Sequence, residues 1–234
     1  MEDRTLKYEV LTYNDGNCSR GIENVVEEVN TKVIVNGKKT FNLTSSPFNI
    51  EELVIGNMWM RNLLDKKEDI KTIKYTKGLI EVELNILLRE EERKYRVVKS
   101  DLTLAKKQVP ILMKELQDRA NLFSRTGGVH NAAISDGQRL LVFMEDIGRH
   151  NTVDKLMGYC ILNDISLEDK IMVFSGRIPF EIINKLSKMN VPIFISKSAP
   201  TSLGVEMARK YNITLCGFTR GERYHIYSDD GRIL

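Results

Sequence analysis

Four segments of the chain combine hydroxyl or glycine residues with arginine or lysine: residues 145–150, 175–177, 196–202 and 219–223. Small residues let backbone amides approach a ligand, and the cations bind an anionic group. Three of the segments precede a predicted helix, whose first N–H groups are free to bind phosphate. Their repetition predicts a ligand rich in phosphate. The candidate contacts are Asp146, Arg149, His150, Ser175, Arg177, Ser198, Ser202, Thr219, Arg220, Gly221, Glu222 and Arg223.

A fifth candidate segment, residues 126–133, contains Gly127, Gly128 and His130. The adjacent glycines are consistent with a backbone that passes close to a ligand, and equally with a tight turn beside a packed histidine. His150 has two readings as well. It is either a ligand contact or proton carrier near neutral pH, or a residue that bonds the local backbone where a helix begins.

The three cysteines, Cys18, Cys160 and Cys216, are far apart and form no C-x-x-C pair. This spacing predicts neither a disulfide framework nor a structural metal site. Cys160 falls on the apolar stripe of a predicted helix. Cys216 lies in a predicted strand shortly before the Arg220 segment, where burial is favoured over reactivity because a reactive thiol needs an exposed, electropositive setting.

Composition is typical of a soluble globular protein, with 42% hydrophobic and 29% charged residues. The net charge of +3 lacks the basic excess of a protein whose main partner is nucleic acid. No apolar run is long enough to cross a membrane, and the first thirty residues have no signal-like apolar core. We therefore expect a cytoplasmic protein that binds neither nucleic acid nor membranes, with any anion site being local.

The predicted secondary-structure elements that must position these residues change in type and order near residue 100. Before it, a hairpin turns at Asn36-Gly37, a helix begins near Asn49, and two further β-rich runs follow. These elements predict a small α+β domain over 25–99, preceded by a flexible N-terminus over 1–24.

After residue 100, short apolar strands alternate with amphipathic helices. A helix is predicted from Pro110 to about Phe123, and another is predicted to be capped by Asn151. Alternation of this kind indicates crossover connections and a mostly parallel sheet with flanking helices over 100–234. The fold class is therefore α/β, and ligands of such sheets bind outside the carboxyl ends of the strands.

Several segments, in order, resemble the signatures of the formate dehydrogenase accessory sulfurtransferase (FdhD) family. The similarity covers nearly the whole chain from about Val25. The segments that carry it are Thr126-Gly127-Gly128-Val129-His130-Asn131-Ala132-Ala133, Glu145-Asp146-Ile147-Gly148-Arg149-His150-Asn151-Thr152-Val153-Asp154-Lys155, Ala199-Pro200-Thr201-Ser202-Leu203 and Gly217-Phe218-Thr219-Arg220.

This resemblance implies a cytidine-deaminase-like α/β domain over 100–234 and a homodimer. Family members receive sulfur from a cysteine desulfurase and pass it to the molybdenum cofactor in its bis-guanine dinucleotide form, before that cofactor enters formate dehydrogenase. The family's cofactor site includes the last loop, which corresponds here to Phe218, Thr219, Arg220, Gly221, Glu222 and Arg223. The loop chemistry described above independently predicts such a phosphate-rich ligand.

The sequence departs from the family at the sulfur carrier. The family places a C-G-x-C segment where this chain runs from Leu88 to Ser100, a shorter stretch without cysteine. The family nucleophile therefore has no counterpart at that position. Deamination by zinc is disfavoured too, because Ala132 stands where the general-acid/base glutamate is expected and there is no cysteine pair.

Three hypotheses follow. The first is an FdhD-like accessory protein that binds the guanine-dinucleotide cofactor, or a GDP-like nucleotide, at the strand ends. The second is an active sulfurtransferase that uses another thiol, with Cys216 as the candidate. The third is a non-catalytic assembly or regulatory partner of a molybdoenzyme.

Overall fold

The computed structural model describes residues 5–234 and begins with a two-stranded antiparallel hairpin. Its strands are β1 (Thr5–Asn14) and β2 (Asn17–Val26). Asp15 and Gly16 form the turn, both with positive φ. The segment predicted as a flexible N-terminus, 1–24, thus has regular strands from Thr5 onward, and its first four residues lie outside the described part of the chain.

The next elements form a four-stranded sheet with one helix. They are β3 (Val29–Val35), β4 (Lys39–Ser45), α1 (Ile50–Met60), β5 (Ile70–Thr76) and β6 (Leu79–Leu84). The sheet order is β4-β3-β6-β5, with only the β3–β6 pair parallel. The predicted hairpin turn at Asn36-Gly37 is confirmed, because both residues adopt the positive φ that such a turn requires.

The remaining elements build a six-stranded sheet covered by helices. They are α2 (Gln108–Arg119), α3 (Asn121–Thr126), β7 (His130–Ser135), β8 (Leu140–Asp146), α4 (Arg149–Leu162), β9 (Ile171–Phe174), α5 (Phe180–Met189), β10 (Ile193–Ser196), α6 (Ser202–Lys210), β11 (Thr214–Arg220) and β12 (Arg223–Ser228). The strand order is β12-β11-β10-β9-β7-β8.

The prediction of a mostly parallel sheet is wrong, because the sheet is mixed. Only β9–β10 and β10–β11 pair in parallel, whereas β7–β8, β7–β9 and β11–β12 are antiparallel. The connections explain two of the three antiparallel pairs. Short turns join β7 to β8 and β11 to β12, and a short turn can join only antiparallel neighbours.

Two predicted helices have different boundaries in the structure. The helix predicted from Pro110 to about Phe123 is interrupted at Ala120, which ends α2 and precedes α3. The helix predicted to be capped by Asn151 begins at Arg149, after Gly148. The Asn151 amide instead donates to Asp146 Oδ1 and to the carbonyl of Thr44. No helix among residues 5–234 is both long and apolar enough to cross a membrane.

The smaller sheet is joined to the larger one by a close crossing of α1 and α4. A Cβ added at Gly56 would lie 1.8 Å from the carbonyl oxygen of Asp154, and one added at Gly158 would lie 1.8 Å from that of Glu52. The helices approach so closely only because both positions are glycine. As a result Leu53 of α1 and Leu156 of α4 belong to the same apolar core.

Candidate functional site

The carboxyl ends of β8, β9, β10 and β11 lie at one edge of the large sheet. Because β7 runs in the opposite direction, its first residue, His130, lies at that edge as well. A cavity of about 370 Å³ opens there. It is lined by Leu116, Gln117, Ala120, Phe123, Ser124, Val129, His130, Asn131, Ser175, Lys197, Ser198 and Arg220. Of the residues predicted from the sequence, the cavity thus brings together His130, Ser175, Ser198 and Arg220.

The polar wall is held in place by hydrogen bonds between neighbouring strand ends. Ser175 Oγ accepts from the Asn131 backbone N–H at 2.9 Å, and the Ser198 hydroxyl donates to the Ser175 carbonyl at 2.9 Å. The buried Ser196 hydroxyl donates to the Gly176 carbonyl at 2.8 Å. These serines fix the loops relative to one another, so the groups facing the cavity are preorganised.

The apolar wall comes from the break between α2 and α3. Leu116 and Ala120 belong to the end of α2 and the break, and Phe123 lies on α3. The sequence pattern places Phe123 in the core, but its side chain is 43% exposed and lines the cavity. A cavity lined by both apolar and polar side chains suits a ligand with a flat ring and a charged end.

Two cations on the polar wall have no acidic partner. Among residues 5–234, Lys197 and Arg220 form neither an ion pair nor a side-chain hydrogen bond; the Arg220 guanidinium lies 5.2 Å from the centre of the Phe218 ring. Lysine and arginine that face a cavity without a carboxylate partner are available to bind an anion. Lys197 was not among the contacts predicted from the sequence, although it follows β10 directly.

His130 lies between this cavity and two further arginines. Burial lowers the pKa of His130 below its ordinary value, and the nearby charges of Arg149 and Arg177 lower it further. The imidazole is therefore neutral at pH 7. Within the described chain, Arg149 Nε is buried and has no hydrogen-bond partner.

His150 is half-buried on α4 and does not line the cavity. Burial is the main cause of its lowered pKa, with contributions from the charges of Lys185 and Arg149. Lys185 Nζ donates to the His150 carbonyl at 3.3 Å. This contact involves the backbone of His150 and not its imidazole, so both readings of the side chain stay predictions.

Asp146 lies behind the site rather than in it. Its carboxylate is fully buried and pairs with the fully buried Lys155 at 2.7 Å. It also accepts hydrogen bonds from the backbone N–H groups of Gly148 and Ser46. The carboxylate joins the end of β8 to the start of α4 and to the smaller sheet, and it does not line the cavity. Its contact with a ligand stays a prediction. Lys155, its buried partner, was not among the residues predicted from the sequence.

Asn131 is a cavity residue that the sequence analysis did not select. Its Nδ2 donates to Glu145 Oε1 at 2.8 Å, in a buried contact between β7 and β8. This bond fixes the orientation of the amide. The only sequence signal was its position next to His130 in the signature segment.

The two glycines at 127 and 128 form a tight turn rather than a surface against the ligand. Gly127 ends α3 with φ of 63°, and a Cβ at Gly128 would lie 2.8 Å from Val26 Cγ1. The close approach at Gly128 is therefore to β2. Neither glycine lines the cavity.

The last loop contributes mainly through Arg220. Phe218 adopts φ of 54° at an irregularity in β11, and its N–H donates to the Ser198 carbonyl at 3.0 Å. Thr219 is buried, and its hydroxyl has no partner within the described chain.

The remaining predicted residues do not line the cavity. Gly221 and Glu222 form the turn to β12, and the Arg223 guanidinium lies 3.3 Å from His225 Nε2. Arg177 is exposed after β9, and Ser202 begins α6.

Burial separates the three thiols. Cys216 and Cys160 are buried, and burial raises the pKa of each thiol to about 12. Both are therefore protonated at neutral pH and shielded from partners. Cys18 is exposed on β2. No group of three histidine, cysteine or acidic residues in the described part of the chain is arranged to hold a metal ion.

Comparison with known proteins gives a consistent set of relatives. The sequence profile of the FdhD/NarQ family matches residues 83–234. The "Sulfur carrier protein FdhD" of Staphylococcus aureus strain Newman is 36% identical over 259 aligned positions, which cover 100% of this chain and 98% of the relative; the protein of strain COL matches equally. The crystal structure of a formate dehydrogenase accessory protein from Desulfotalea psychrophila superposes with a TM-score of 0.87 at 25% identity, covering 98% of this chain and 99% of the other.

Proposed function

Because the chain belongs to the FdhD/NarQ family, we propose that it acts as an accessory protein in the maturation of formate dehydrogenase. In this proposal, the cavity at the carboxyl edge of the large sheet binds a guanine nucleotide moiety of the molybdenum cofactor in its bis-guanine dinucleotide form. The observation that carries the proposal is that Lys197 and Arg220, which have no acidic partner among residues 5–234, line one cavity together with apolar side chains.

The residues of the cavity fit one nucleotide moiety. A volume of about 370 Å³ lies within the range of about 300 to 1,000 Å³ that small-molecule sites occupy. Phe123 and Val129 offer apolar surface for a base, whereas Lys197 and Arg220 offer charge for a diphosphate. The cofactor, when bound, supplies the molybdenum centre that accepts sulfur in this family.

The chain's own contribution is to bind and orient the ligand. The serine contacts between β7, β9 and β10 hold the loop that carries Lys197, and the bond from the Phe218 N–H to the Ser198 carbonyl joins the end of β11, with Arg220, to the same loop. The amide of Asn131, oriented by Glu145, presents its free Oδ1 as an acceptor for N–H groups of a base. His130, being neutral, accepts or donates a single hydrogen bond at the cavity without adding charge.

Sulfur transfer through Cys216 receives no support from this geometry, since the thiol is buried and its pKa is raised to about 12. The segment that corresponds to the family's paired cysteines is hydrogen-bonded to the rest of the fold. Arg93 donates to the carbonyls of Trp59 and Leu64, and Arg96 N–H donates to Ser187 Oγ. Alignment to the relatives needs 259 positions for the 234 residues of this chain, so the relatives contain additional residues within the aligned region.

The partners in this proposal are formate dehydrogenase as client and a cysteine desulfurase as sulfur donor, with the chain acting as a homodimer. Incubation with a desulfurase and cysteine, followed by intact mass measurement, tests whether the chain accepts sulfur from the desulfurase. A persulfide adduct that disappears in Cys216→Ala would favour the active sulfurtransferase. The cytidine-deaminase-like description of the large domain, and the domain boundary near residue 100, stay predictions.

Calorimetric titration with GDP, and with ADP as the matched nucleotide, tests the proposed ligand. We expect saturable binding of GDP and weaker binding of ADP, because both carry the same diphosphate and differ only in the base. Absence of GDP binding at millimolar nucleotide would contradict the proposal. Equal binding of both nucleotides would leave a phosphate site without guanine recognition.

A further inference from the structure

A second group of cations lies beside the nucleotide cavity, at the same edge of the sheet but towards its other face. Along β7, Ala132 and Ile134 face the core that contains α4, whereas Ala133 faces α2. Because strand side chains alternate, His130 faces the α4 side. Arg149 begins α4, three residues after Asp146, which pairs with His130 in the β7–β8 register. Arg177 follows Gly176, whose backbone lies against the His130 ring, and the charges of both arginines act on His130.

Within the described part of the chain, neither arginine of this group is paired with a carboxylate, although the charge of Asp146 also acts on His130 and opposes that of the arginines. Among residues 5–234, neither Arg149 nor Arg177 forms an ion pair, and Arg149 Nε is buried without an acceptor. The acidic group nearest in sequence, Asp146, is already paired with Lys155. A buried N–H without an acceptor costs free energy, and an oxyanion ligand would supply the missing acceptor.

The backbone at this position is arranged for close approach. A Cβ at Gly176 would lie 3.3 Å from His130 Nδ1 and 2.9 Å from the Phe174 ring, so the 175–177 loop passes directly over the histidine because it contains glycine. The N–H groups of Arg149 and His150, at the start of the 14-residue helix α4, have no acceptor within the helix. The 175–177 loop is thus in contact with His130, and the start of α4 leaves two N–H groups without an acceptor inside the helix, as at other helix starts that bind anions.

We propose that His130, Arg149 and Arg177, with the first N–H groups of α4, form a subsite for a tetrahedral oxyanion such as phosphate. The subsite is separate from Lys197 and Arg220 and lies next to them across His130. Its occupant is either free phosphate or a phosphate group of the ligand in the neighbouring cavity. Only the second source rests on the proposed nucleotide function.

Titration with inorganic phosphate at constant ionic strength, followed by ¹H–¹⁵N spectra of the full chain, tests the subsite. Constant ionic strength removes general screening as an explanation. We expect saturable shifts of the Arg149 and His150 amides, and binding at least about tenfold weaker in Arg177→Gln, which removes one charge-assisted contact. The control is Arg139→Gln, an exposed arginine in the turn between β7 and β8, which should leave phosphate binding unchanged.

Repetition with saturating GDP distinguishes the two sources. Continued phosphate binding means that the subsite takes free phosphate, whereas displacement by GDP, together with weaker GDP binding in Arg177→Gln, means that it takes a phosphate of the nucleotide. Phosphate binding without any GDP binding would support the subsite and contradict the proposal that the cavity binds a guanine nucleotide. Phosphate shifts that are absent, or unchanged in Arg177→Gln, would overturn the subsite.

Discussion

Individual charged residues at the sheet edge divide into those used within the protein and those left for a ligand. The Asp146–Lys155 pair is fully buried and holds β8, α4 and the smaller sheet together. Removing one partner of such a pair leaves a buried charge, which costs about 3–5 kcal/mol. Lys197 and Arg220, by contrast, lack a carboxylate partner in the described chain and face a cavity. The signature segments therefore contain residues of both kinds.

Thiol reactivity should separate the cysteines according to burial. In the folded protein we expect a disulfide reagent such as DTNB to modify Cys18 rapidly, and Cys160 and Cys216 only after unfolding. Both buried thiols have a pKa of about 12, so the reactive thiolate is scarce at pH 8. Peptide mapping after brief labelling measures the extent of modification at each cysteine. Rapid modification of Cys216 would restore it as a candidate sulfur acceptor.

His130 should titrate below its ordinary pKa of 6.5, because burial and the charges of Arg149 and Arg177 disfavour the imidazolium. The unfolded chain then binds a proton more readily than the folded chain. The stability contribution is present above about pH 6.5 and is lost as the pH falls below it towards the folded pKa. NMR titration of the imidazole resonances, assigned with His130→Asn, measures the midpoint. A midpoint at or above 6.5 would contradict this environment.

At the scale of elements, regular patterns of apolar residues predicted the fold well, but they could not predict local interruptions. The helix from about Ser202 is confirmed as α6, and the strands around Lys170–Phe174 and Pro192–Ile195 are confirmed as β9 and β10. Periodicity continued through Ala120, so it could not predict the break that forms the apolar wall. The pattern could not predict whether strands pair in parallel or antiparallel either, because this depends on which strands become neighbours.

The α1–α4 crossing gives an element-scale prediction. Gly56→Ala should destabilise the protein by about 1–3 kcal/mol or more, because the new Cβ would lie 1.8 Å from the Asp154 carbonyl oxygen and the helices must separate. Urea denaturation measures the change. Gly21→Ala on β2 is the matched control, since a Cβ there has nothing within 4 Å. Equal stability of the two variants would show that the helices do not cross so closely.

At the scale of the whole molecule, architecture explains why a net charge of only +3 is compatible with an anion site. Strands far apart in sequence end at one edge, and this brings Asn131, Lys197 and Arg220 to one cavity. The sequence could predict His130, Ser175, Ser198 and Arg220 because they begin, end or follow strands. It could not predict that Arg223 lies beyond the turn or that Phe123 lines the cavity, because both depend on tertiary packing.

The central claim, that the cavity at the strand ends binds a guanine nucleotide, is tested most directly by comparing two arginines of the last loop. We expect Arg220→Gln to weaken GDP binding by about 1.5–3 kcal/mol, since Arg220 lines the cavity and would lose a charge-assisted contact. Arg223→Gln, three residues further and 3.3 Å from His225, should leave the affinity unchanged. Calorimetric titration of both variants and the parent chain with GDP measures these affinities. Weaker binding in Arg223→Gln with no change in Arg220→Gln would contradict the assigned site.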